Sequence, residues 1–119
     1  MGKEEVISEL EELAKEFSNL FSLFDSPKIG MSSKENIDFI SQEYSTLKDT
    51  VKEKLDKLQK RKRNNELSHT EALFLLPALE EIFLHCDARR GSKDERALNS
   101  SIWDGEDYAL IYLSQLKKN

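Results

Sequence analysis

Apolar residues recur along this chain at steps of three and four. Val6, Leu10, Leu13, Phe17, Leu20 and Phe24 follow one another at steps of 4-3-4-3-4, and Ile7, Ala14 and Phe21 form a second stripe beside them. Side chains three and four apart share one face of an α-helix, so the pattern predicts a helix over about Glu4 to Phe24. Its apolar face is wide enough to touch more than one neighbour. Asp25-Ser26-Pro27-Lys28-Ile29-Gly30 ends it, since Pro27 and Gly30 both oppose helix. A second helix is expected from Ser32 or Ser33 to about Asn64. Ile37, Ile40, Tyr44, Leu47 and Val51 keep a heptad rhythm, which then shifts to Leu55 and Leu58 where a strict repeat would have placed Lys54 inside. Such a stutter locally relaxes coiling. At about 1.5 Å per residue the second helix runs to about 48 Å against about 31 Å for the first, so its end should overhang or be covered by later helices or a second subunit.

From Ser68 the chain is apolar almost all round, through Ala72, Leu73, Phe74, Leu75, Leu76, Ala78 and Leu79 to Ile82, Phe83 and Cys86. A helix of that kind lies centrally or against a partner. Pro77 removes a helical hydrogen bond and should kink the helix or divide it near Leu76. Gly91 closes the segment. A short fourth helix is expected from Ser92 to about Trp103, a turn at Asp104-Gly105, and a last helix from Glu106 to Leu116 presenting Tyr108, Ile111, Tyr112 and Leu113. The pattern therefore predicts an all-α fold, an antiparallel bundle of four to five helices in one domain over residues 1–119.

Capping signals agree with these boundaries. Ser-x-x-Glu tetrads stand at Ser32–Glu35, Ser68–Glu71 and Ser92–Glu95, with Asp104–Asp107 as a weaker one. In a capping box the Ser oxygen accepts from a backbone N–H one turn in, and the Glu accepts from the N–H of the Ser. The first helix, near Glu4, has no such signal and is expected to start uncapped. Asn64-Asn65 is a plausible stop for the second, because Asn tolerates the left-handed conformation.

Composition narrows the class. Of 119 residues, 38% are hydrophobic and 34% charged, which suits a small bundle with polar outer faces. Four Gly and two Pro are too few for a turn-rich β fold. No apolar run approaches the roughly 18 residues of a membrane span, and the acidic start lacks a signal-peptide core. With one cysteine, Cys86, no internal disulfide can form, and a cytoplasmic location is expected. Net charge is −5 but polarised: residues 1–25 hold two Lys against seven Asp/Glu, whereas residues 51–63 hold seven Lys/Arg against Glu53 and Asp56. Acids favour helix starts and bases helix ends, and antiparallel neighbours would neutralise each other's patches.

Two basic clusters are candidate binding sites. Arg89, Arg90, Lys93 and Arg96 surround the helix start at Ser92, whose free N–H groups form a positive pole able to hold a phosphate or carboxylate. Asp87, Asp94 and Glu95 offset this charge, and Glu95 already fills the cap. Lys60-Arg61-Lys62-Arg63 could meet nucleic-acid phosphates, but it has no interleaved aromatics for base stacking and a helix C-terminus already favours bases. Nucleic acid is accordingly the less favoured partner.

Arg63-Asn64-Asn65-Glu66-Leu67-Ser68-His69 resembles the R-N-x4-H signature of HEPN domains, compact all-α modules of about this length that often act as dimeric ribonucleases. The resemblance covers seven residues. It implies that Arg63 would stabilise phosphate charge, Asn64 would position, and His69 would transfer protons. An imidazole titrates near neutrality and a guanidinium matches phosphate, so that division is chemically sound. Other constellations are poorly supplied. Glu81 and His85 are spaced i, i+4 rather than the i, i+3 of bundle di-iron sites. With two histidines and one cysteine, neither a metal nor a cofactor is expected. Cys86 reads as a core residue. The sequence thus leads to a helical protein, of the kind common among bacterial accessory proteins, that binds a protein partner or itself as a homodimer, with a ribonuclease as the alternative.

Overall fold

The computed structural model describes residues 1–86 and 95–119, and every regular element in it is helical. Helix α1 spans Lys3–Ser22 and α2 spans Ser33–Arg63. A π-helical turn, Glu71–Leu75, leads directly into α3, Leu76–His85, and α4 spans Glu95–Lys118. No strand occurs among the described residues.

The capping chemistry holds at both Ser-x-x-Glu boxes that lie within the described residues, whereas the weaker Asp104–Asp107 signal falls inside α4 and starts no helix. Ser32 Oγ accepts from the Glu35 N–H at 3.1 Å, and the Glu35 carboxylate accepts from the Ser32 N–H at 3.1 Å. These bonds hold the Glu35 carboxyl below its ordinary range. Ser68 and Glu71 exchange the same pair at 3.2 and 3.0 Å. The expected box at Ser92–Glu95 begins outside the described residues. Helix α1, expected to start uncapped, does have a partner for its first donor: the Glu5 carboxylate accepts from the Gly2 N–H at 3.3 Å. Its end comes at Ser22 rather than Phe24, because Leu23 and Phe24 tighten into three-residue bonds to the carbonyls of Leu20 and Phe21. Asn36, 4% exposed, then donates its side-chain amide to the Leu23 carbonyl at 2.9 Å and fixes the passage into α2.

Helix α2 ends as its Asn pair predicts. Asn65 takes φ 58°, the Asn65 N–H bonds to the Lys62 carbonyl at 3.0 Å, and the Glu66 N–H bonds back to the Arg61 carbonyl at 2.8 Å. That pattern is a Schellman stop with asparagine in the left-handed position. The stutter is also realised, since Leu55 and Leu58 are buried and Lys54 is exposed.

After Ser68 the chain does not form one regular helix. The Leu76 N–H bonds to the Glu71 carbonyl, five residues back, and Pro77 follows in the first turn of α3. Proline cannot donate and crowds the carbonyl four residues before it, and a widened turn is one place where that is tolerated. The residue added by the π turn also shifts the helical register. Leu75, Leu76, Ala78, Leu79 and Ile82 are buried, whereas Ala72, Leu73 and Leu84 face solvent. Of the two expected places for this segment, central or against a partner, the buried residues meet the first and Leu73 and Leu84 stay open for the second.

A correction concerns α4. Its 24 residues are continuous through Asp104 and Gly105, where a turn was expected. Gly105 is buried, and a Cβ built on it would lie 2.5 Å from Phe17 Cε1. This glycine serves close approach between α1 and α4 rather than a turn. The α1–α4 pair is the most extensive contact among the described residues, and α3 packs against both α2 and α4. By contrast α1 touches α2 sparingly. Their opposite charge patches meet at Lys54–Glu9, 2.8 Å apart, but the basic end of α2 turns elsewhere. The fully buried core runs through Val6, Leu10, Phe17, Ile40, Val51, Leu79, Ile82, Leu98 and Ile102.

Candidate functional site

The most deeply buried charge of the described residues is Glu71, with no exposed surface. As the third helical residue after Ser68 it is positioned by its own capping box. The left-handed stop at Asn65 then brings the chain back under α2. There Arg61 meets Glu71 in a two-pronged pair, Nη1 to Oε2 at 2.6 Å and Nη2 to Oε1 at 3.0 Å. The Met1 ammonium lies 3.2 Å from Oε1, and Ser68 Oγ donates to the Met1 carbonyl at 2.7 Å. Burial pushes the Glu71 carboxyl up, but the Arg61 guanidinium, the Ser68 N–H and the Met1 ammonium together outweigh it and hold the carboxyl at about 2. The carboxylate is thus ionised and fully engaged, which suits a structural clasp rather than a proton-transfer group.

This clasp takes one of the four cations of the basic tract. Arg61 turns inward, leaving Lys60, Lys62 and Arg63 for solvent. Arg63, Asn64 and His69 are each exposed, and among the described residues no hydrogen bond or ion pair joins them. The two arms of the R-N-x4-H segment are separated by the Schellman stop and the new cap. The sequence reading placed Arg61 in the basic tract and missed its pairing with Glu71. Its signal was the capping glutamate ten residues on, which enters an apolar segment and needs a cation there.

Of the anion-site candidates, Arg89, Arg90 and Lys93 lie outside the described residues. Arg96 is exposed on the first turn of α4, where with Glu95, Asn99 and Ser100 it lines an open depression of about 540 Å³.

A second polar cluster closes the end of α3. Tyr44 Oη and Lys48 Nζ both donate to the Cys86 carbonyl, Lys48 at 2.6 Å, and Lys48 also reaches the Phe83 carbonyl at 3.4 Å. A cation on the last carbonyls of a helix is favourably placed. Burial pushes the Cys86 thiol up to about 12, so it stays protonated and is the core residue expected. His85 pairs with Glu81 at 3.3 Å on the exposed side of the same turn. Between α1 and α2 an open groove of about 370 Å³ has Leu20 and Leu47 as its floor and Glu16, Asn19, Glu43, Thr46 and Thr50 along its sides. The Thr46 and Thr50 hydroxyls donate to the carbonyls of Gln42 and Thr46, so neither is paired with a general base. Among the described residues no group of three or more His, Cys, Asp or Glu is arranged to hold a metal, and no helix is long and apolar enough to cross a membrane.

What the described surface does offer is exposed apolar area. Leu73 and Leu84 project from the third segment, at 50% and 65% exposure. Trp103, Leu110 and Ile111 project from α4, with Trp103 51% exposed. In α4 the residues Arg96, Ser100, Trp103, Asp107, Leu110, Ser114 and Lys117 step by 4-3-4-3-4-3, a single stripe opposite the face formed by Leu98, Ile102, Gly105 and Ala109. The expected turn at Asp104-Gly105 had hidden this stripe, because it placed Trp103 and Leu110 on different helices. Searches against family models, curated proteins and solved structures find no significant match to the chain.

Proposed function

We propose that this protein works by binding, without chemistry of its own, and that it associates with a second copy of itself through an outer helix face. In this reading the helices form an antiparallel bundle whose third segment is bent at the π turn and Pro77. The observation that carries it is the apolar surface left uncovered: Leu73 and Leu84 on one segment, and Trp103, Leu110 and Ile111 along α4. Single exposed leucines are ordinary, but an aromatic and an aliphatic aligned on one helix stripe, with a second aliphatic beside them, are the usual mark of a partner surface. Sedimentation velocity across micromolar concentrations tests the proposal. A concentration-dependent monomer–dimer equilibrium is expected, and monomers alone throughout would overturn it.

The alternative, a HEPN-like ribonuclease using Arg63, Asn64 and His69, has the seven-residue resemblance in its favour but no shared cleft among the described residues. Cleavage of RNA by the wild-type chain that is lost in His69→Ala would reverse the preference. Anion binding by Arg89, Arg90, Lys93 and Arg96 is a third reading, tested by charge reversal at Arg96 and its neighbours against inorganic phosphate.

A further inference from the structure

The α4 stripe is self-complementary, and its charges select one direction of pairing. Asp107 lies on it with Asp104 and Glu106 flanking, Lys117 lies in its last turn with Lys118 beside it, and Arg96 stands at its start. Leu110 and Ile111 lie between. A parallel pair of α4 helices would set acids against acids and lysines against lysines. An antiparallel pair centred on Leu110 sets each acidic stretch against the other copy's lysines and leaves Arg96 beyond the end of the other helix. Pairing on the same outer stripe also leaves the α1 contact of Gly105 untouched.

The relief of the stripe agrees. Beyond Leu110 lies an open, mainly apolar depression of about 510 Å³, lined by Leu110, Leu113, Ser114, Lys117 and Lys118. Trp103 stands seven residues before Leu110, and Lys117 seven residues after it. At about 1.5 Å per residue each lies roughly 10 Å from Leu110. A two-fold axis beside Leu110 therefore lays the indole of one copy over the depression of the other, and the same contact recurs on the opposite side of the axis. Such reciprocity is what an isologous interface requires. The two lysines at the depression would then flank the ring face, where a cation is attracted. Lys117 reaches Glu11 across a loose 3.6 Å and is itself half-exposed, so it can turn toward a ring at little cost.

We infer that a second copy of this chain docks antiparallel on the outer face of α4, about a two-fold axis beside Leu110, with Trp103 of each copy seated over the Leu110–Lys118 depression of the other. The inference rests on the self-association proposed above and names its surface and symmetry.

Five variants test it, each at exposed or half-exposed positions and each checked for native helicity. Trp103→Ala should weaken dimerisation by about 30-fold or more, the level of an aromatic hot spot. Lys117→Glu with Lys118→Glu should also weaken it, and adding Asp104→Lys with Asp107→Lys should restore it, because the swapped charges again oppose each other. Leu110→Cys should give a disulfide-linked dimer on mild oxidation, whereas Leu84→Cys should not. A wild-type dimer that is indifferent to Trp103→Ala and forms no Leu110→Cys cross-link would overturn this surface while leaving self-association standing. A wild-type chain that is monomeric throughout would overturn both and leave the stripe to a different partner.

Discussion

Replacing Gly105 by alanine sets two opposing effects against each other, and the geometry decides which prevails. Alanine is the better helix former by about 1 kcal/mol, so in the middle of an exposed helix the change would stabilise. Here the added methyl would lie 2.5 Å from Phe17 Cε1 and 2.7 Å from Cδ1 and Cζ. Phe17 is fully buried, and three atoms of one rigid ring are approached at once, so the ring cannot step aside without moving the α1–α4 contact. Overpacking of this kind costs about 1–3 kcal/mol. The short distances place Gly105→Ala at the upper end, and after subtracting the propensity gain a net loss of about 2 kcal/mol is expected. Urea unfolding followed by circular dichroism should show a lower midpoint at unchanged slope. The specific check is a double-mutant cycle with Phe17→Leu: removing the ring edge should recover most of the loss, with a coupling of about 1 kcal/mol or more. A Gly105→Ala protein as stable as the wild type, or more so, would refute the close approach and revive a turn at Asp104-Gly105.

Three further outcomes follow from the polar contacts. Glu71→Gln should lower stability by at least about 2 kcal/mol, because the Arg61 guanidinium keeps only a neutral partner in a buried site. The folded carboxyl sits at about 2 against an ordinary 4.5, so the Glu71 contribution is present above pH 4.5 and lost as pH falls from there toward 2; the acid limb of a stability–pH curve should be flatter in Glu71→Gln. Lys48→Met should cost about 1 kcal/mol by uncovering the last carbonyls of α3, with Tyr44→Phe similar, and equal urea midpoints for wild type and both variants would refute that closure. Cys86, its thiol raised to about 12, should resist alkylation at mildly alkaline pH in the folded protein and react promptly in denaturant; rapid native labelling would contradict its burial.

Much of the secondary structure was legible because its signals act within a turn or two of chain. Ser32 with Glu35 and Ser68 with Glu71 are three residues apart, and the bonds they make are the ones their chemistry dictates. The left-handed stop at Asn65 and the stutter from Val51 to Leu55 are equally local. The candidate site was less legible. Arg61 and Arg63 are indistinguishable as members of a basic tract, yet one is clasped by a buried carboxylate and the other is exposed.

By itself, then, the sequence determined that this chain is helical, where most of its helices begin, and which residue halts α2, since each depends on neighbours along the chain. Tertiary structure alone decided that Gly105 lies inside a helix, that α1 packs chiefly on α4, and that Leu73 and Trp103 are left outside. Those outcomes depend on residues far apart in sequence. A glycine favours a turn unless Phe17 occupies the space its missing Cβ leaves, and an apolar helix face is core only where another element arrives to cover it.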